Sequence, residues 1–176
     1  MQPTQRSPRE RFLMLTISEK LTEMAGAAEA YCGLIENHEY TQGRWLVDLC
    51  RILPRLHSAV MALSAQHYDE LLGPEVDLDD RFELYSRLRK ALGEHDGYWL
   101  EFDESPDRMH MSGSLADDLT DIFFDLQYGL DLLEEAWPQR AAQVWQSTYR
   151  RHWGQHLVDA ERHLYALKIQ NLLTPH

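Results

Sequence analysis

Ser114-Leu115-Ala116-Asp117-Asp118-Leu119-Thr120-Asp121-Ile122-Phe123-Phe124-Asp125-Leu126 is the stretch that decides the fold class. Its apolar residues return every third or fourth position, and Leu130 and Leu133 extend the stripe. That is the period of a helix with one buried side, not of a strand. Ser114 with Asp117 three residues on is close to a capping box and sets the start of the helix, which is predicted to run to about Glu135. The same segment is rich in acid. Asp118, Asp121 and Asp125 share one flank of the stripe, within about a 60° arc at the helical rotation. Asp117 lies further round, where it serves the cap.

Working outward, Pro138 opens a further helix at its first position, predicted to continue to about Gln170. Its apolar stripe is Tyr149, Trp153, Leu157, Ala160, Leu164 and Leu167, and His152, His156, Asp159 and His163 line one flank together with Trp145. On the other side, Ser7-Pro8 starts a first helix whose apolar residues reach Ile35, with Gly26 a place where it can break. A second helix is expected from about Thr41 to Leu72, kinked or divided by Pro54. Gly73-Pro74 is a turn. Asp79 or Asp80 then starts a third helix that Gly93 ends as C-cap. Residues 95–112 read as an irregular loop whose Tyr98, Trp99 and Phe102 pack onto the core. The expectation is an all-α protein: one domain over residues 1–176, an up-and-down bundle of about five helices with short connections.

The balance of charge narrows the function. There are 29 Asp and Glu against 17 Lys and Arg, a formal net charge of −12. A nucleic-acid clamp needs clustered base, so nucleic acid is not an expected partner. The acid is concentrated in residues 69–136, which carry 20 acidic and 5 basic residues, whereas residues 137–176 carry 2 and 5 and four histidines. An acidic middle and a mildly basic, His-rich tail are expected to attract each other within the fold. No run of 18 apolar residues exists, so no membrane span is expected. Arg6, Arg9 and Arg11 precede Phe12–Ile17, but that apolar stretch is too short for a secretory leader and Glu19 and Lys20 end it. A cytoplasmic setting follows, with Cys32 and Cys50 as free thiols buried as small hydrophobes.

Two polar flanks that meet have two chemistries open to them. His152 and His156 are four residues apart, a spacing that lets two imidazoles reach one ion, and Asp118, Asp121 and Asp125 would complete a divalent-metal site across the helix pair. The other reading needs no cofactor: an Asp–His–Arg network that fixes helix register. Asp117-Asp118-Leu119-Thr120-Asp121 also matches the Asp-Asp-x-x-Asp pattern that holds magnesium in prenyl-diphosphate enzymes, but no second acidic motif accompanies it. Gly-x-Ser-x-Gly is absent, the two cysteines lie far in sequence from the His-rich tail, and the nine glycines are scattered singly, so nucleophilic catalysis and a phosphate loop find no support.

Several segments together resemble a bacterial family, the domain-of-unknown-function family 5063. They are Glu29-Ala30-Tyr31-Cys32 with Ile35-Glu36; Ile52-Leu53-Pro54-Arg55-Leu56; Leu92-Gly93-Glu94-His95-Asp96-Gly97-Tyr98 with Phe102; Asp118 to Leu126; and Tyr149-Arg150-Arg151-His152-Trp153-Gly154-Gln155-His156-Leu157 with Arg162. The resemblance runs from about Met24 to Leu167. It implies a helical fold and a bacterial cytoplasmic setting, and it supplies no activity. The family pattern keeps Asp121, Asp125, Trp153 and Arg162 and does not require His152, His156 or Asp118, which implies a structural Asp–Arg network with a packed Trp. The expected function is therefore a protein-interaction or regulatory module with no cofactor and another protein as partner. A divalent-metal enzyme or sensor is the alternative, and an acidic mimic of nucleic-acid charge comes third. Trp45, Tyr98 and Trp99 lie outside the stripes, and a homodimer would be the ordinary way to cover them if they are exposed.

Overall fold

The computed structural model describes residues 8–36, 40, 44–63, 73–100 and 111–173. Among the described residues six α-helices follow in order: α1 (Pro8–Glu36), α2 (Arg44–Ala62), α3 (Leu78–Leu92), α4 (Leu115–Glu134), α5 (Pro138–Arg151) and α6 (Trp153–Ile169). Between α3 and α4 lie a single 3-10 turn, Gly93–His95, and two short antiparallel strands, β1 (Gly97–Leu100) and β2 (Met111–Ser114).

The caps read from sequence hold. Ser114 Oγ accepts the Asp117 amide at 3.3 Å, and Pro138 stands in the first turn of α5. Gly93 ends α3 at φ 55°, where a side chain would be strained. The start of α3 shifts slightly, because Asp77 is its cap and accepts the Asp79 amide at 2.8 Å. α1 passes through Gly26 without a break. α2 passes through Pro54 undivided, so the predicted split is not found, although Pro54 has no amide to give the Cys50 carbonyl. The end predicted near Leu72 lies outside the described residues, as does Phe102.

Two corrections change the topology. The single last helix is two, broken at His152, whose backbone (φ −142°, ψ −87°) is not helical. Gly154 lets the chain turn there: a Cβ on it would stand 2.3 Å from the Tyr149 carbonyl oxygen. The expected loop at residues 95–112 contains a strand pair, Tyr98 facing Gly113 and Trp99 facing Ser112. The bundle is also not a simple up-and-down ring. α4 is the hub, packed against α1, α3, α5 and α6, while α2 bridges α1, α5 and α6.

The hub is bonded as well as packed. Tyr31 of α1 donates to the Leu119 carbonyl at 2.8 Å. Trp145 of α5 donates to the Leu126 carbonyl at 3.1 Å, and Gly129 makes room for its ring, since a Cβ there would lie 2.0 Å from the indole nitrogen. Asp96, ahead of β1, adds a second cap to α4: its carboxylate accepts the Ala116 amide at 2.8 Å and the Ser114 hydroxyl at 2.9 Å. Among the described residues no helix is long and apolar enough to cross a membrane.

Candidate metal site

α4 turns its apolar stripe into the core, which brings its acidic flank into the seam with α3 and α6. Asp118, Asp121 and Asp125 are consequently buried, at 5%, 9% and 2% exposure. A carboxylate in such a place needs partners, and each has them. Asp125 Oδ2 lies 2.6 Å from His152 Nδ1. Asp118 is held by His156 Nδ1 at 2.9 Å on one oxygen and by the Tyr98 hydroxyl at 2.5 Å on the other. Asp121 Oδ1 accepts Arg81 Nε and Nη2 at 3.0 and 2.7 Å, and Arg81 Nη2 also reaches Asp117 at 2.8 Å.

Asp121 Oδ2 is the centre of the cluster. His156 Nε2 is 3.3 Å from it and His152 Nε2 3.9 Å. One ligand atom from each of Asp121, His152 and His156 lies within 4.8 Å of the other two. Both imidazoles spend an Nδ1–H on a buried carboxylate, so their Nε2 atoms carry lone pairs in the neutral form. Lone pairs aimed at a carboxylate oxygen repel it, and the convergence therefore calls for a positive charge, a proton on Nε2 or a metal ion. The local charge agrees. Among the described residues, Asp117 and Asp121 pair with Arg81, Asp118 and Asp125 rest on imidazole, and Arg151 stands in the same cavity wall, so four acids meet fewer guanidinium groups than their own number.

Electrostatics point the same way. The hydrogen bond to Asp118 raises the pKa of His156 against the opposing effect of burial. Burial raises Asp118 and Asp125 above the usual carboxylate range, although their bonds to His156 and His152 oppose it. Asp118, Asp125 and His156 therefore bind protons more tightly than their solvent-exposed counterparts. It also opens outward: Asp121, Asp125, Arg81, His152, Thr148 and Phe124 are among the walls of a cavity of about 320 Å³.

The sequence-derived list fares unevenly. Asp118, Asp121, Asp125, His152 and His156 come together. The reason given for the two histidines does not survive, because His152 sits in the break between α5 and α6 and not one helical turn before His156. Arg162 does not join them. Its guanidinium lies 5.5 Å over the Tyr98 ring and 3.7 Å from Asp159, so Arg81 of α3 takes the role expected of it. Trp153 is fully buried and donates to the Thr148 hydroxyl at 3.0 Å, next to Asp125. Arg81 and Tyr98 were missed: one lies on a charged helix surface far away in sequence, the other in a strand too short to show a period. Trp45 and Tyr98 are buried and Trp99 is exposed, which leaves one of the three aromatics offered as reasons for a dimer. The thiols take no part: burial pushes Cys32 up to about 12 and also raises Cys50.

Residues 16–170 match a family model described as a domain of unknown function, DUF5063. A crystal structure of protein BF1032 from Bacteroides fragilis is similar in fold, with a TM-score of 0.70 and 21% sequence identity over 85% of this chain and 92% of that one. No curated protein matches the chain.

Proposed function

The chain belongs to the DUF5063 family, and we propose that its α4–α6 seam binds a divalent transition-metal cation through Asp121, His152 and His156. One observation carries the reading: two imidazole Nε2 atoms face one carboxylate oxygen, at 3.3 and 3.9 Å, with each Nδ1 anchored on a buried Asp. Ligand atoms around a tetrahedral ion with bonds of about 2.1 Å stand about 3.4 Å apart, so small side-chain movements suffice to close the shell. Asp118 and Asp125 are then the carboxylates behind the histidines that fix tautomer and direction, as is usual behind metal-bound imidazole. Arg81 holds the other oxygen of Asp121 and leaves Oδ2 turned inward. Imidazole with carboxylate suits zinc, iron or nickel. Two of the three ligands, Asp121 and His152, line an open cavity, which leaves a coordination position for a water or a substrate.

The test is zinc titration of chelator-treated protein, followed by thermal unfolding. Stability is expected to rise with free zinc by mass action, by about 2.7 kcal/mol at a hundred times the dissociation constant, and His156→Ala is expected to abolish the rise. A melting temperature indifferent to zinc, nickel and iron would return the cluster to a purely structural Asp–His–Arg network.

A second reading, an interaction or regulatory module, has its own observation. Leu78 and Phe82, one turn apart on α3, are 79% and 67% exposed, and Arg81 of the cluster lies between them in sequence. A partner on that surface would sense the cluster through Arg81.

A further inference from the structure

α2 and α6 run antiparallel and leave a second cavity between them, of about 490 Å³, remote in sequence from the acidic flank of α4. That volume is within the range of small-molecule sites. Its floor is apolar, with Leu53 and Leu164 buried beneath and Met61 and Tyr165 exposed on its walls. Its two ends are polar and different. At one end His57 Nδ1 meets Glu161 Oε2 at 3.2 Å, and His57 Nε2 meets the Tyr149 hydroxyl at 2.9 Å. Burial raises the Tyr149 pKa, so it stays a phenol and donates to His57, and the carboxylate and both ring nitrogens are engaged. At the other end Lys168 stands near Cys50, where its charge favours the thiolate against burial. Lys168 has no carboxylate within ion-pair distance among the described residues. The two ends are seven residues apart on each helix, about 10 Å.

An apolar trough with an ammonium at one end that no carboxylate among the described residues meets fits an anion with an apolar body, held locally against the repulsion of an acidic chain. We propose that this groove binds an elongated amphipathic carboxylate of medium chain length, its head on Lys168 and its chain over Leu53 and Leu164 toward His57. The proposal is independent of the metal site.

Calorimetric titration of the full chain with octanoate tests it, with octanol and octyltrimethylammonium as comparisons. Saturable binding of one octanoate per chain is expected, weaker by about fivefold in Lys168→Gln and more in Lys168→Glu, since a partly exposed ion pair is worth up to about that much. Lys168 is exposed, so these variants are expected to fold, and circular dichroism verifies it. Met61→Glu, at the wall, is expected to weaken octanoate as well. Octanoate is also expected to slow alkylation of Cys50, which lines the groove. Equal affinity for octanol, preference for the ammonium compound, or full affinity in Lys168→Glu would overturn the proposal. So would a dimer in light scattering that Tyr165→Glu dissociates while octanoate fails to bind, an outcome that assigns the groove to a second copy.

Discussion

Two places in this molecule clamp histidine against carboxylate, and they differ in what the second ring nitrogen meets. His57 is bonded to Glu161 through Nδ1 and to a phenol through Nε2. Every lone pair and hydrogen is matched when the ring is neutral, and the cluster is complete as it stands. His152 and His156 are bonded to Asp125 and Asp118 through Nδ1, but their Nε2 atoms meet a third carboxylate, Asp121. That arrangement needs positive charge on the far nitrogens, from a proton on Nε2 or from the metal ion proposed above. A histidine–carboxylate pair is thus no signature of a metal site, and the group on the far nitrogen is what separates the two.

The largest expected effect follows from Asp121. Asp121→Ala removes the partner of a half-buried guanidinium and the shared point of both imidazoles. Discounted for the remaining Arg81–Asp117 pair and for solvent at Arg81, the loss is expected to be about 2–3 kcal/mol in urea denaturation of metal-free protein. A loss below half a kilocalorie would mean that the cluster is loosely held and that the contrast with His57 is weaker than the distances imply. Next in size, Asp118→Asn keeps the shape but weakens the anchor of His156, and zinc affinity is expected to fall about 10- to 100-fold by calorimetry. Unchanged affinity would show that His156 is not a ligand.

The pH dependence separates protons from metal. His156 has a raised folded pKa, so its contribution to stability is complete below its unfolded pKa of about 6.5 and is lost as pH rises through the folded value. Asp118 and Asp125 are also raised, so they too bind protons more tightly when folded and add stability that fades as pH rises from about 4. Metal-free protein is therefore expected to be more stable at pH 6 than at pH 8, with a flatter profile in His156→Gln. Zinc competes with those protons, so its stabilising effect is expected to grow over the same interval. Parallel profiles with and without zinc would break the argument. The smallest effect belongs to His57: His57→Phe is expected to cost about 1 kcal/mol in denaturation, since Glu161 and Tyr149 are partly solvated and recover water.

Much of the fold was legible because helices announce themselves locally. The period of α4, the Ser114 cap, Pro138 and Gly93 are each statements made within one turn of chain, and each holds. The acidic flank was legible for the same reason, since a rotation per residue places Asp118, Asp121 and Asp125 together without knowledge of the rest. What faces them was not local. Arg81 arrives from a helix some 40 residues upstream, and its surroundings of Asp79, Asp80 and Glu83 make it look like one more solvated charge. Tyr98 arrives on a strand held by pairing with β2, a long-range bond that no four-residue window can reveal. The break at His152 had a signal in Gly154, but a glycine inside a helical pattern is ambiguous until the Tyr149 carbonyl is seen against it. Arg162 shows the opposite hazard. It lies on the right helix and in the resembled pattern, yet it stacks on Tyr98 and does not reach Asp121 or Asp125.

The position of α4 as hub has a kinetic meaning. A helix flanked by four others has no route to solvent except through opening of the bundle, so its amides, from Leu119 to Leu126, are expected to exchange with deuterium on the timescale of global unfolding. Asp121 and Asp125 are themselves part of that slowest-exchanging segment. Asp121 therefore anchors the seam on the part of the chain expected to open last, while His152, half exposed at the break before α6, leaves a way in and out of the seam that needs no unfolding of the bundle.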